Sequence, residues 1–140
     1  MTLFLDTSML ISACGSENGA SRHVCESGTS HGWRLITSGY CRNETLRNLP
    51  RLGTQGLSAW EEHVEPRIEF VPDIISLDKA LVFEKAKDRP VLVSALAAEA
   101  EYLLTLDRTD FHATLGSQVY GMLVRTPAEF LTEQRSLGRI

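Results

Sequence analysis

The stretch Leu3–Leu10, LFLDTSML, places a carboxylate at the point where an apolar segment ends. Leu3, Phe4 and Leu5 form a short apolar run that is typical of a buried strand, and Asp6 follows it directly. A buried carboxylate is unfavourable unless it is hydrogen-bonded, paired with a positive charge or bound to a cation. Asp6 therefore either caps the segment that follows or faces a functional site, and other carboxylates at equivalent positions favour the second interpretation.

The composition is that of a globular protein with an ordinary core. The chain has 140 residues, of which 43% are hydrophobic and 23% are charged. This length fits one domain that spans residues 1–140. No apolar run approaches the ~20 residues of a membrane span, and the N-terminus does not resemble a signal peptide. We therefore expect a cytoplasmic protein without a membrane partner.

Neither the cysteines nor the histidines are spaced as metal ligands. Cys14, Cys25 and Cys41 show no CxxC pattern, so buried free thiols are expected. The four histidines are scattered along the chain. The net charge of −4 argues weakly against a large basic nucleic-acid surface. If four acids were gathered around a metal, the remaining charges would balance, so a nucleic-acid substrate is not excluded.

Short apolar runs alternate with helix-like segments along the chain. Strands are predicted at Leu3–Leu5, Arg34–Thr37, Ile68–Val71, Tyr102–Thr105 and Val119–Val124. Helices are predicted at Gly39–Leu49, from a capping box at Ser58–Glu61, at Leu77–Lys87, at Arg89–Ala100 and from a capping box at Thr126–Glu129. A loop is expected at Asn48–Gly56. Alternating strands and helices predict a three-layer α/β/α domain with a central parallel sheet of about five strands.

Further carboxylates fall where sheets of this kind bind ligands, beyond the carboxyl ends of the strands. Asp107 ends the fourth apolar run, with Asp110 three residues on; Glu44 lies in the helix after the second run, and Asp88 starts a later helix. Converging carboxylates favour a divalent cation, and an all-oxygen site suits magnesium or manganese better than zinc. Each acid also has a structural interpretation: Asp88 as a helix N-cap, Glu44 as a solvated helix residue, and the other two as part of a turn.

Four segments together resemble the PIN domain, the nuclease fold of VapC-type toxins and related proteins. FLDTSMLISA resembles the opening motif, and LITSGYCRNETLRNL resembles the segment with the acid of the second helix. KDRPVLVSALAAEAEYLLTLDRTDF is the closest match, and RTPAEFL is similar to the usual last helix. The resemblance implies an endoribonuclease that uses Mg²⁺ or Mn²⁺ to hydrolyse phosphodiester bonds of single-stranded RNA.

The resemblance also implies roles for individual residues. The family's acidic residues fall on Asp6, Glu44, Asp88 and Asp107, with Asp110 as an auxiliary or competing acid. The expected metal ligands among them are Asp6, Asp88 and Asp107. The family also places a small hydroxyl residue beside the first Asp, here Thr7 or Ser8, and one at the end of the fourth strand, here Thr105, and these are expected to orient the substrate. Arg89 is expected to face the phosphate because it lies next to these acids in the sequence. Because some relatives carry Asn at the position of Asp107, the division of roles between Asp107 and Asp110 stays open.

The resemblance leaves the biological setting open. VapC-like relatives are commonly dimers and are paired with a small antitoxin protein, so a homodimer and such a partner are expectations here. The alternatives are a PIN-fold RNA-processing nuclease without an antitoxin and a non-catalytic RNA-binding scaffold of the same fold. A haloacid-dehalogenase-type phosphatase is disfavoured, since it needs a second Asp where this chain has Ser8. A dinucleotide-binding domain is disfavoured because no GxGxxG follows the first strand.

Overall fold

The computed structural model of the protein describes residues 1–74, 89–107 and 118–140. Its strands are β1 (Thr2–Leu5), β2 (Arg34–Ser38), β3 (Glu69–Val71), β4 (Tyr102–Leu104), β5 (Gln118–Val119) and β6 (Met122–Arg125). Its α-helices are α1 (Thr7–Gly15), α2 (Ala20–Ser27), α3 (Gly39–Asn48), α4 (Thr54–Ala59), α5 (Arg89–Ala97) and α6 (Pro127–Ser136). Short 3-10 helices lie at Leu49–Leu52 and Glu65–Arg67, and a π-helical segment lies at Trp60–Val64.

The six strands form one sheet in the order β3-β2-β1-β4-β6-β5. Every neighbouring pair is parallel except β5 and β6, which are antiparallel. The mostly parallel sheet confirms the expected α/β fold class. Since β1, β2, β4 and β6 run in the same direction, their carboxyl ends share one edge of the sheet, and the residues that follow them are neighbours.

The core lies on both faces of the central strands. Leu3, Phe4 and Leu5 are fully buried, and so are Leu103 and Leu104 on the adjacent strand. Because successive side chains of a strand point to opposite faces, consecutive buried residues mean that both faces are covered. All three cysteines are free and buried, as expected. No helix among the described residues is long and apolar enough to cross a membrane.

The prediction of one strand at Val119–Val124 is wrong, because this segment is a β-hairpin. Val119 pairs with Met122, and Tyr120 and Gly121 form the two-residue turn between them. Both turn residues have positive φ, 48° and 86°, which matches the twist that a two-residue hairpin needs. A glycine supplies such a conformation readily, whereas a tyrosine gives no sequence signal for it.

The loop expected at Asn48–Gly56 and the helix start expected at Ser58 are also wrong. A 3-10 helix occupies Leu49–Leu52, and α4 begins at Thr54, so Ser58 lies inside a helix. Gly56 explains how the two segments fit together: a Cβ added there would come within 2.9 Å of the carbonyl oxygen of Leu49. The glycine that suggested a loop instead permits close helix packing.

The helix starts predicted at Ser38 and at Thr126 are confirmed. The Ser38 hydroxyl accepts a hydrogen bond from the Cys41 amide at the start of α3. Thr126 and Glu129 form the complete capping box of α6. The predicted helix at Arg89–Ala100 ends earlier, at Ala97. Two helices, α1 and α2, were not predicted, and the helix predicted at Leu77–Lys87 lies outside the described residues.

Candidate functional site at the carboxyl edge of the sheet

The four central parallel strands each lead into a short polar side chain. These residues are Asp6 after β1, Ser38 at the end of β2, Thr105 after β4 and Thr126 after β6. The register of β1 and β4 pairs their last residues, so Asp6 and Thr105 lie side by side. The Asp6 amide continues this pairing with a hydrogen bond to the Leu104 carbonyl of 3.0 Å. Ser38 and Thr126 cap the helices that follow them, whereas Asp6 and Thr105 face each other at the edge on which carboxylates were expected.

Asp6 is the N-cap residue of α1, yet its side chain does not cap the helix. Its backbone is extended, with φ −73° and ψ 159°, and no side-chain capping hydrogen bond is present. The residue is only 5% exposed. The first of the two interpretations of Asp6, as a helix cap, is therefore not the one that the structure adopts, and the buried carboxylate is used elsewhere.

Two hydroxyl groups hold the Asp6 carboxylate. Thr105 Oγ1 donates a hydrogen bond of 2.7 Å to Asp6 Oδ2, and Ser8 Oγ donates one of 3.2 Å to the same oxygen. The two hydroxyl oxygens are themselves 3.2 Å apart. We call Asp6, Ser8 and Thr105 the hydroxyl cluster. Hydrogen bonds donated to a carboxylate stabilise its charge and restrict its rotation, which is what a ligand-binding carboxylate needs.

The same hydroxyls fix the backbone that carries Asp107. Ser8 Oγ accepts a hydrogen bond of 3.0 Å from the Leu106 amide, and Thr105 Oγ1 accepts one of 3.0 Å from the Asp107 amide. The side chain of Asp107 is exposed. The hydroxyl cluster therefore links a buried carboxylate on β1 to an exposed carboxylate just beyond β4.

The start of α3 also lies beside Asp6, because the register that pairs Phe4 with Ile36 places Ser38, the N-cap of α3, level with Asp6. Burial raises the pKa of the Cys41 thiol to about 11, and the negative charge of Asp6 is the next largest cause. Glu44 follows one turn later and is half-buried, but no hydrogen bond joins its carboxylate to the hydroxyl cluster within the described residues. The Thr7 hydroxyl is buried near Cys41 and likewise makes no described hydrogen bond to Asp6. Of the two candidate hydroxyls after Asp6, Ser8 is the one that contacts it.

Asp88 and Asp110 lie outside the described residues, and Arg89 is described only as the first residue of α5. Among residues 1–74, 89–107 and 118–140, no group of three His, Cys, Asp or Glu side chains is arranged to hold a metal ion. The convergence of Asp88 and Asp110 on Asp6 stays a prediction.

One carboxylate of this edge was missed from the sequence. Asp73 follows β3 after a single intervening residue, and its Oδ1 accepts a hydrogen bond of 2.9 Å from the Tyr40 amide. The rule that selected Asp6 and Asp107, an acid just beyond an apolar strand, could have found it. The apolar run at Phe70 and Val71 is a weak strand signal, however, because β3 has only three residues and is incompletely buried.

The comparisons with known proteins concern the fold. The chain has the same fold as a chain in the crystal structure of VapBC2 from Rickettsia felis bound to a DNA fragment from their promoter. The TM-score is 0.65 over 90% of this chain and 98% of that chain, at 15% sequence identity. The PIN-like fold expected from the sequence motifs is confirmed. No protein-family model matches the chain, and neither does any curated protein.

Proposed function

We propose that the protein is a metal-dependent ribonuclease that hydrolyses phosphodiester bonds of single-stranded RNA. The observation that carries this proposal is the state of Asp6, a buried carboxylate that leaves its helix uncapped and is held by the hydroxyls of Ser8 and Thr105. A carboxylate fixed in this way at the carboxyl edge of a parallel sheet is suited to bind a ligand there. The PIN-like fold supports the nuclease class.

The donor set at this edge fits magnesium or manganese. Asp6, Asp107 and the two hydroxyls offer only oxygen atoms, which hard divalent cations prefer. Magnesium usually keeps several of its waters and takes one or two protein carboxylates, so it does not need a cluster of three acids. When bound, the metal supplies Lewis-acid activation of the phosphate and of a water molecule. Asp88 is proposed as a further ligand on the strength of the sequence resemblance.

Individual residues of the chain have distinct proposed roles in holding the metal and orienting the attacking water. Asp6 supplies a negative charge whose position the hydroxyl cluster holds. Thr105 couples this charge to Asp107, because its hydroxyl contacts both the carboxylate of Asp6 and the backbone amide of Asp107. Glu44 and Asp110 are proposed to complete the acidic edge and to orient the attacking water. The substrate-orienting role expected for Thr7 stays a prediction.

We further propose that the protein is the toxin of a toxin-antitoxin pair and forms a homodimer. The fold shared with a chain of VapBC2, a name that denotes a complex, supports the antitoxin partner, and the resemblance to VapC-like proteins supports the homodimer. The test is to produce the protein together with the product of the neighbouring open reading frame. Co-purification and loss of ribonuclease activity in the complex are expected. Full activity in the presence of that product, or the lack of any small neighbouring gene, favours an RNA-processing nuclease without an antitoxin.

The direct test of the proposed function is cleavage of single-stranded RNA by the purified chain. Cleavage is expected in the presence of Mg²⁺ or Mn²⁺ and is expected to stop in EDTA. Restoring excess Mg²⁺ is expected to restore cleavage, which excludes irreversible damage by the chelator. Cleavage that is unaffected by EDTA contradicts the metal mechanism, and specific RNA binding without any cleavage favours a non-catalytic scaffold.

A further inference from the structure

The carboxylate of Asp73 lies on the N-terminus of α3. Asp73 Oδ1 accepts the Tyr40 amide hydrogen at 2.9 Å, and Ser38 Oγ accepts the Cys41 amide hydrogen at 3.3 Å. The first amides of a helix have no partner within the helix, and a negative charge there is favourable. Two acceptors from the ends of two different strands therefore hold the first turn of α3.

The Asp73 carboxylate lies directly against Gly39, where a side chain would stand. A Cβ added to Gly39 would come within 2.9 Å of Asp73 Oδ2, closer than real side chains approach. A larger residue at this first position of α3 would displace the carboxylate, so Gly39 leaves room for the close approach of Asp73.

The residue after Asp73 extends this contact to a second helix. The Ile74 amide donates a hydrogen bond of 3.1 Å to Ser94 Oγ, and Ser94 is a buried residue of α5. The dipeptide Asp73-Ile74 thus connects the start of α3 to the middle of α5. These are the helix that carries Glu44 and the helix that Asp88 directly precedes.

We propose that Asp73 is a positioning residue for the acidic edge, an inference that rests on the proposed ribonuclease function. Tyr40, whose amide Asp73 holds, is four residues before Glu44, so both lie on the same side of α3. Phe4 pairs with Ile36 in the parallel register of β1 and β2, so Asp6 lies level with Ser38, the N-cap of α3, and the first turn of the helix begins beside the hydroxyl cluster. Asp73 acts through α3: it sets the height and angle at which the helix presents Glu44 to Asp6.

The test is steady-state RNA cleavage by the full chain and its variants in Mg²⁺. Asp73→Ala is expected to lower kcat about tenfold, less than the roughly hundredfold that a full ångström of misplacement can cost, with KM for RNA within about twofold. Asp73→Asn is expected to retain most of the activity, because its amide oxygen can still accept the Tyr40 hydrogen. Gly39→Ala is expected to resemble Asp73→Ala, since the new methyl group displaces the carboxylate.

Thr126→Ala is the matched control, because it removes the N-cap of α6, a helix that carries none of the candidate acids. It is expected to lower the melting temperature at least as much as Asp73→Ala and to leave kcat unchanged. If Asp73→Ala is unfolded at the assay temperature, Gly39→Ala carries the same comparison. The inference is overturned if wild type cleaves and Asp73→Ala matches it, or if Thr126→Ala loses kcat equally. A wild-type chain that does not cleave RNA in Mg²⁺ contradicts the proposed function itself.

Discussion

The β1–α1 and β6–α6 junctions have nearly the same backbone but use their first side chain in opposite ways. Thr126 has φ −75° and ψ 158°, and Asp6 has φ −73° and ψ 159°. Thr126 Oγ1 accepts the Glu129 amide hydrogen at 3.1 Å, and Glu129 Oε1 accepts the Thr126 amide hydrogen at 2.9 Å. Asp6 makes no such bond and instead accepts hydrogen bonds from the hydroxyl cluster.

The difference indicates that the two junctions serve different purposes. Aspartate is among the most favourable N-cap residues, and a missing cap costs about 1 kcal/mol of stability. The first turn of α1 also has no acidic residue, whereas the first turn of α6 contains Glu129. Helix α1 thus forgoes stabilisation that its own first residue could provide. A loss of local stability of this kind is typical of functional sites.

The largest effect is expected when the Asp6 carboxylate is replaced. Asp6→Asn is expected to reduce kcat by more than the roughly 10–100-fold cost of changing a group that only supports a metal ligand. The fold is expected to persist, because the amide oxygen of Asn can still accept from the two hydroxyls. The measurement is RNA cleavage together with thermal unfolding. Cleavage at a near wild-type rate by a folded Asp6→Asn variant means that the site is assigned to the wrong carboxylate.

A smaller but distinct effect is expected for the acids beyond β4. Asp107→Ala is expected to cost more activity than Asp110→Ala and to weaken Mg²⁺ binding markedly, because the Asp107 amide is tethered to Thr105 of the hydroxyl cluster. Activity and metal titrations of both single variants provide the comparison. If Asp110→Ala is the more damaged variant, the fourth acid belongs to the following turn rather than to the end of the strand.

Removing the hydroxyl that supports Asp6 is expected to have an intermediate effect. Thr105→Val deletes the donor to Asp6 and is expected to lower kcat roughly tenfold. Thr37→Val is the matched control, since the buried Thr37 hydroxyl donates a 2.7 Å hydrogen bond to the Leu5 carbonyl rather than to a carboxylate. Both variants are expected to lose about 1–3 kcal/mol in chemical denaturation, while only Thr105→Val loses activity. Equal activity losses would show that the effect is one of general stability.

The smallest effect on activity is expected at the capped junction. Thr126→Ala removes the side-chain cap of α6 and is expected to reduce the free energy of unfolding by about 1 kcal/mol. Its kcat is expected to equal that of wild type. Thermal unfolding and cleavage, measured on the same sample, check both parts. A clear loss of kcat at unchanged substrate saturation would mean that the two junctions are not functionally distinct.

The parts of the fold that were predictable have strong local signals. β1 and β4 are uninterrupted apolar runs that end at a polar residue, and α6 begins with a complete capping box. The hairpin at Tyr120 and the helix α4 at Gly56 could not be predicted from local sequence signals. The first depends on a positive φ that tyrosine rarely adopts, and the second on a close approach to Leu49 that only tertiary packing creates.

The adjacency of Asp6 and Thr105 was predictable from the sequence, but their contacts were not. Parallel strands bring their carboxyl ends to one edge, so Asp6 and Thr105 could be expected to be neighbours. The choice between Thr7 and Ser8 depends on which side chain of the first helical turn faces β4, and the strand and helix pattern does not specify that direction. Asp73 was missed because β3, the strand that precedes it, has only three residues and is incompletely buried, which gives a weak strand signal in the sequence.

The most direct test of the central claim is a magnesium titration of wild type and Asp6→Asn by isothermal calorimetry, without RNA. Thr126→Ala is the control, since it changes the corresponding residue of the other junction. Saturable Mg²⁺ binding is expected for wild type and for Thr126→Ala, and binding by Asp6→Asn is expected to be weaker by at least the roughly tenfold cost of losing a supporting group. Equal Mg²⁺ affinity in wild type and Asp6→Asn would contradict the claim that the uncapped carboxylate of Asp6 is a metal ligand.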